Sequence, residues 1–482
     1  MVDTDWESII GLEIHVQLNT RSKIFGPEPY LFGSEPNVDI GVVSTGQPGA
    51  LPVLNREAVR KAVQFGLAIR AEVALESRFD RKSYFYPDNP KNFQITQFDY
   101  PIIKGGTVTC DVEGKTRQFA VHHAHLEEDA GMLKHFTNFS GVDYNRAGVP
   151  LLEIVSEPCM RSPKEASSYA QAVKAIMEYL DASDCNMEEG SLRIDTNISV
   201  RRREETGLRT KVEIKNMNSF HYMELAIESE VRRQIAFYTL YPHQKIEQGT
   251  YRFDPETNRT ILMRTKEAAE DYRYFPEPDL PPLILTEAYI GEIQKALPEL
   301  PYDRYKRYLQ ELPAQAAAVL VQTKKLSDYF EEALKTCSNA KSLANWITVE
   351  FAGRLKEQGQ EIYNSQIAPY HIADLVNQID QNTITGKIAK SVADDMVAHP
   401  GKSPAEIVAA NPDYQPVHDT SAIEPMVDQV IAENPQSIAD YKAGKTKAFA
   451  FLVGQVMKLC RGKASPAVVN ELLQKKLQHP HS

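Results

Sequence analysis

Ile10-Gly11-Leu12-Glu13-Ile14-His15-Val16-Gln17-Leu18 places an apolar side chain at every even position. On a strand, successive side chains point to opposite faces. This period therefore sets Ile10, Leu12, Ile14, Val16 and Leu18 on one side and Glu13, His15 and Gln17 on the other. Glu13 and His15 then lie about 7 Å apart along the strand, so both can face one hard cation or its waters. Taken by itself, the pattern reads first as a solvated strand face.

Two later stretches repeat the design. In Leu192–Val200 the apolar set is Leu192, Ile194, Ile198 and Val200, with Arg193, Asp195, Asn197 and Ser199 on the other face. In Lys211–Asn216, Val212 and Ile214 oppose Lys211, Glu213 and Lys215. The turn Glu204-Glu205-Thr206-Gly207 between them predicts a hairpin that brings Asp195 and Glu213 onto one polar face among cations. Such a face suits Mg²⁺ together with polyphosphate oxygens; a cross-strand salt-bridge ladder is the rival reading. The run His122-His123-Ala124-His125-Leu126-Glu127-Glu128-Asp129-Ala130-Gly131 adds more ionisable groups. Strand parity puts His123, His125, Glu127 and Asp129 on one side and His122 and Glu128 on the other. The turn at Gly131 leaves the register open, so either carboxylate set can face a site. Zinc lacks an HxxxH spacing here. Finally, Arg81–Phe93 (RKSYFYPDNPKNF) is a proline-stiffened loop whose aromatics and cations can stack on a base or clamp an anion. Repeated Asp, Glu and His with Lys and Arg is what metal-assisted phosphoryl transfer requires.

Composition bounds the class. The 482 residues suffice for two to four domains, with 42% apolar and 25% charged residues. No run approaches ~20 apolar residues, so no membrane association is expected. The acidic start lacks the features of a signal or transit peptide. Five scattered cysteines, without a CxxC pair, support neither a disulfide framework nor a cysteine zinc site and fit a cytoplasmic protein. A net charge of −11 argues against a non-specific nucleic-acid coat. The pattern predicts an α+β fold in three parts: a β-rich domain over residues 1–294 with antiparallel sheet, an all-α helical domain over 295–412, and a small all-α tail over 413–482. Helices are expected over Arg56–Ile69 and Lys164–Leu180, through Tyr302, Tyr305, Leu309 and Leu312, and over Leu326–Thr336. The Pro-rich Phe275–Pro282 reads as a stiff connector. Neither GxGxxG nor GxxxxGK[ST] occurs, which leaves out a Rossmann crevice and a P-loop.

The blocks Ile10–Leu18 (IGLEIHVQL), Tyr84–Gln97 (YFYPDNPKNFQITQ), Leu126–Gly131 (LEEDAG), Asp143–Pro158 (DYNRAGVPLLEIVSEP), Ser191–Val200 (SLRIDTNISV) and Lys211–Phe220 (KVEIKNMNSF) resemble the B-subunit family of the bacterial three-subunit tRNA-dependent amidotransferases. Asp271–Leu280 (DYRYFPEPDL), Ile384–Lys390 (ITGKIAK) and Tyr441–Val456 (YKAGKTKAFAFLVGQV) continue the resemblance over nearly the whole chain. It implies a cradle-shaped catalytic domain similar to glutamine synthetase, followed by the helical domain and tail. It implies a carbon–nitrogen ligase that uses ATP and Mg²⁺ to phosphorylate the side-chain carboxylate of Glu-tRNA(Gln) or Asp-tRNA(Asn). Ammonia then displaces the phosphate. The implied partners are an A subunit that releases the ammonia from glutamine, a C subunit that completes a heterotrimer, and the misacylated tRNA. By position, Glu13, His15, Glu128, Asp195 and Glu213 match the catalytic and metal-site groups, and Lys82 and Lys91 the mouth of the ammonia channel. The rival functions are a tRNA-binding scaffold without chemistry and a free-standing ligase similar to glutamine synthetase.

One departure stands out. Many members carry a CxxC where this chain has Gly41 and Ser44, so no zinc is expected. In the tail, Lys442, Lys445, Lys447, Lys458, Arg461, Lys463, Lys475 and Lys476 face only Glu471 as an acid, a local excess able to neutralise phosphates. The resemblance assigns this tail to tRNA, read by shape.

Overall fold

The computed structural model describes residues 5–215, 217–265, 271–414, 420–442, 445–460, 464 and 466–478. The chain forms two compact units, Met1–Arg304 and Tyr305–Ser482, and its fold is of the mixed α/β kind. The first unit is built on strands β1 (Trp6–Gln17), β2 (Asp80–Ser83), β3 (Phe93–Thr96), β4 (Lys115–Glu128), β5 (Pro150–Ser156), β6 (Leu192–Arg202), β7 (Val212–Lys215), β8 (Gly249–Asp254) and β9 (Arg259–Thr265), with helices α1 (Arg56–Ala68), α2 (Pro163–Tyr179) and α3 (Phe220–Leu240).

Among the described residues a ten-stranded sheet runs β9-β8-β7-β6-β1-β5-β4 and continues through the short strands Ile103–Lys104 and Glu72–Val73, with Thr107–Val112 also on β4. β1 lies at its middle, antiparallel to both neighbours, with Glu13 opposite Asp195 and Val155 and His15 opposite Arg193 and Glu153. The alternation read from sequence thus decides the layering. Ile10, Leu12, Ile14 and Val16 are buried with Ile194, Ile198, Val200, Val212 and Ile214 in one core. That core is completed by Ala58, Ala62 and Phe65 of α1, Tyr169, Val173 and Met177 of α2, and Met223 and Ile227 of α3. All three helices begin on a side-chain cap: Asn55, Ser162 and Ser219 each accept from first-turn N–H groups.

The hairpin predicted between β6 and β7 forms, with Asn197 opposite Glu213. The sheet is not wholly antiparallel, however. β7 and β8 run parallel, and a parallel pair needs a long crossover; α3 supplies it. This helix was not legible in the sequence, because its apolar residues do not gather into one clear stripe. The Pro-rich stretch is also not a free connector. Phe275–Pro276 pairs with β2, and Leu283–Ile284 with Glu76–Ser77. Buried Glu277 accepts two hydrogen bonds from Arg81, at 2.6 and 2.9 Å.

The second unit is helical. The helix anticipated through Leu312 spans Pro301–Tyr308; Pro313 disfavours helical backbone at Leu312 before it. The next expected helix is found over Lys324–Leu334. Thr420–Glu433, Thr446–Leu459 and Pro466–Gln478 carry their own core of Ile423, Val427, Val430, Leu452, Val456, Val469 and Leu473. Among the described residues no helix is long and apolar enough to cross a membrane.

Because Ile14 is wholly buried at the centre of the sheet, Ile14→Ala is expected to lower unfolding free energy by about 2–5 kcal/mol. Urea denaturation with an unchanged m-value is the check.

Candidate active site

With the apolar side of the sheet sealed by helices, the other side collects the ionisable groups. Glu13, Asp195 and Glu213 come from the adjacent strands β1, β6 and β7, and each offers a carboxylate oxygen within 4.8 Å of the others. Asn197 Nδ2 donates to Glu13 at 2.9 Å, and Thr250 Oγ1 donates to Glu213 at 2.9 Å. Lys215 Nζ contacts Asp195 and lies 3.2 Å from Glu213. Burial raises the Glu13 pKa above its ordinary value, and the like charges of Glu153, Asp195 and Glu213 raise it further. Burial opposes the charge on Lys215, but Asp195 and Glu213 outweigh it and hold the ammonium well above the usual lysine range.

Beside this triad lies a second. His15, Glu127 and Glu153, from β1, β4 and β5, have ligand atoms within 4.8 Å of one another. His15 Nε2 is 3.3 Å from Glu153, and His125 Nε2 is 3.6 Å from Glu153 and 3.8 Å from Glu127. Burial pushes the His15 pKa down, but Glu153 overrides it and lifts the imidazole to about 9. Burial likewise works against the Glu153 charge, yet His125 and His15 hold that carboxyl far below its usual range.

Sequence reasoning missed Glu153, although Leu151–Ser156 (LLEIVS) carries one carboxylate at an alternating position. Parity alone leaves open which carboxylates of the histidine-rich run face the site. The strand continues through Glu128, and Glu127 joins His15 and Glu153. Glu128 stands apart from both triads. Its Oε1 takes Lys91 Nζ and the Ile95 N–H, the latter at 2.8 Å, and both side chains of the ion pair are at least 94% buried. Lys82, by contrast, faces the site: its ammonium helps hold Glu153 ionised and lies 4.9 Å from the centre of the Tyr272 ring. Asp129 is tied to Arg193 at 2.7 and 3.0 Å and to Gln17 at 2.8 Å.

All the donors in the first triad are carboxylate oxygens, and the second adds one imidazole. Hard oxygen donors of this kind suit Mg²⁺, and several carboxylates crowded on one half-buried face gain from a cation there. The residue set therefore fits the ion that the resemblance implies. The place of the absent CxxC is filled differently: a Cβ on Gly41 would land on the Glu28 carboxylate, and Ser44 Oγ donates to the Gly41 carbonyl at 3.3 Å. In the tail, Lys442, Lys445, Lys447 and Lys458 are exposed. Lys445 pairs with Asp440 at 3.0 Å and Lys476 with Asp428 at 2.6 Å. Arg461 and Lys463 lie outside the described residues.

Residues 8–291 match the family described as the GatB/GatE catalytic domain, and residues 328–477 match the GatB domain. The chain belongs to the GatB family. It is 66% identical over 480 residues to the B subunit of the aspartyl/glutamyl-tRNA(Asn/Gln) amidotransferase of Protochlamydia amoebophila (strain UWE25), covering 98% of this chain and 97% of that protein. Identity to the proteins of the same name in Chlamydia pneumoniae and Chlamydia caviae is 56% and 57% over 478 residues, covering 98% of each chain. The two triads lie within the segment matched by the GatB/GatE catalytic domain.

Removing one partner of a buried ion pair strands the other charge, whereas removing both does not. Lys91→Met is therefore expected to cost about 3–5 kcal/mol of stability, and Lys91→Met with Glu128→Leu to recover most of it. Chemical denaturation of the two variants is the check. Equal losses would show that the pair is not what matters at this position.

Proposed function

We propose that this chain is the phosphorylating and amidating component of a tRNA-dependent amidotransferase, converting Glu-tRNA(Gln) and Asp-tRNA(Asn) to Gln-tRNA(Gln) and Asn-tRNA(Asn). The observation that carries the reading is the convergence of Glu13, Asp195 and Glu213, and of His15, Glu127 and Glu153, on one face of one sheet. A scaffold that only held tRNA would have no use for so much negative charge gathered where an anionic substrate must arrive.

In this reading Glu13, Asp195 and Glu213, with His15, Glu127 and Glu153, would hold Mg²⁺, which would supply positive charge to neutralise phosphate oxygens of the co-substrate ATP. The side-chain carboxylate of the esterified glutamate or aspartate attacks the γ-phosphorus, ADP leaves, and an acyl phosphate remains. Ammonia then attacks the acyl carbon, the C–O bond to phosphate breaks, and a proton is lost to give the amide. Lys82 and Lys215 place fixed ammonium groups at the rim, where charge develops on the transferring phosphoryl group. Asn197 and Thr250 hold Glu13 and Glu213 in place. The Lys91–Glu128 pair fixes the loop before β3, and we assign it a positioning role near the point of ammonia entry.

We further propose that residues 1–294 form the catalytic domain, shaped as a cradle similar to glutamine synthetase. Residues 295–412 are the helical domain, and 413–482 the tRNA-binding tail, with Lys442, Lys445, Lys447, Lys458, Arg461 and Lys463 as its phosphate contacts. The partners in this reading are the glutaminase A subunit and the C subunit, in the cytoplasm.

In the assembled complex, Asp195→Asn or Glu213→Gln is expected to reduce ATP-dependent amidation by at least about a hundredfold, with glutamine hydrolysis by the partner retained. Amidation at the wild-type rate in both variants would return the chain to the scaffold reading.

A further inference from the structure

The cavity bounded by Lys82 and Lys215 belongs to the site already described. Two turns that take no part in it meet on one carboxylate. The first runs from Lys23 to Glu28, and the Lys23 N–H closes it by donating to the Glu28 carbonyl at 2.9 Å. The second runs from Gly41 to Gln47. There the Thr45 N–H donates to the Gly41 carbonyl at 3.0 Å and the Gln47 N–H to the Val42 carbonyl at 2.9 Å. The Glu28 carboxylate sits where side chains on Gly26 and Gly41 would stand. Neither glycine has a positive φ. Backbone conformation therefore does not call for glycine at either position, whereas room for Glu28 does. Lys23 draws this carboxylate inward. Its side chain is only 1% exposed. Among the described residues, neither Lys23 Nζ nor Glu28 Oε2 has a hydrogen-bond partner. Burial pulls the ammonium down to about 8, and Glu28 is the foremost of the carboxylates opposing this, ahead of Asp39, Glu128 and Asp143.

The second turn carries this anchorage to Lys91. Gly46, at φ +68°, has no room for a side chain, which would stand 2.8 Å from Lys91 Cγ and 3.5 Å from its Cα. The turn and the lysine stem are thus in direct contact, and Lys91 is ion-paired with Glu128. On the other flank, a side chain on Gly148 would meet Ser44 Cβ at 3.0 Å and Lys23 Cδ at 3.2 Å. The Gly148 N–H donates at 2.9 Å to the carbonyl of Asp129, one residue past Glu128. The two turns therefore reach the Lys91–Glu128 pair from both sides. We infer that Glu28 is a positioning residue for ammonia transfer: by wedging the two turns together it fixes Gly46 against Lys91 and so sets where the Lys91–Glu128 pair stands at the point of ammonia entry. The inference rests on the proposed reaction and goes beyond it, because Glu28 belongs to neither triad.

The test uses the assembled complex with Glu28→Ala, which removes the wedge, and separately Gly41→Ala, which displaces it. Two rates are measured for each: ATP-dependent amidation driven by glutamine, and the same amidation driven by added ammonium chloride. Glutamine hydrolysis is followed alongside. Ammonia made by the partner depends on the entry point, whereas ammonia from solvent reaches the open face without it. Both variants are expected to form about tenfold less amide per glutamine hydrolysed and to keep the ammonium-driven rate within about twofold of wild type. A general loss of stability lowers both rates together. Parallel loss therefore overturns the inference, as does an unchanged yield per glutamine in either variant. Failure of the underlying reaction reads differently: the wild-type complex would then make no amide from ammonium chloride and ATP.

Discussion

Like-charge repulsion on the open face of the sheet is the constraint around which the catalytic unit is arranged. β1 lies between β5 and β6 in antiparallel register, so Glu13 has Asp195 directly across one ladder and His15 has Glu153 across the other. That register cannot slip by one residue without sending Ile10, Leu12, Ile14 and Val16 to the solvent side. The hydrophobic effect on one face therefore holds the carboxylates together on the other, against their mutual repulsion. The protein answers with a bridging ammonium from Lys215, a pair of histidines around Glu153, and hydrogen bonds from Asn197 and Thr250. These contacts moderate the repulsion without filling the site with apolar side chains, which is the condition a polyphosphate-binding surface needs.

A second level of support lies around this face. Arg81 and Lys82 are neighbours on β2, and alternation sends them to different tasks. Arg81 turns to buried Glu277 and stacks over Phe93 at 4.2 Å; Lys82 turns to Tyr272 and the cavity. The Phe275–Glu277 segment is thereby fastened to the strand that carries Lys82. Lys91 and Glu128 play the same part between the loop and the end of β4. These buried pairs add little net stability compared with apolar replacements. Their value lies in fixing the positions of the backbone segments from which the site cations project.

The parts of this arrangement that were legible in the sequence are those set by period. Strict alternation in Ile10–Leu18 and Leu192–Val200 gave the strands and the polar residues they share, and the Glu204–Gly207 turn gave the partner of β6. What was not legible depends on pairing between distant segments. Glu153 is a single acid in an apolar run, and only the antiparallel register of β1 with β5 brings it opposite His15. Glu127 and Glu128 are adjacent and chemically alike, so the choice between them rests on the register of β4 with β5, which pairs His125 with Glu153 and Glu127 with Leu151 and so puts Glu127 on the same side of the sheet as Glu153. The parallel pairing of β7 with β8 required α3 as a crossover, and that helix lacks a sharp apolar stripe. The loop that lacks CxxC shows the same limit: the substitution was readable, but Glu28 occupying the space beside Gly41 was not.

Anomalous diffraction from crystals grown with Mn²⁺ in place of Mg²⁺ would test cation binding at the two triads without relying on turnover. Density peaks are expected at bonding distance from Glu13, Asp195 and Glu213, and from His15, Glu127 and Glu153. Saturating Mn²⁺ with no peak at either triad, or peaks confined to unrelated surface acids, would contradict it.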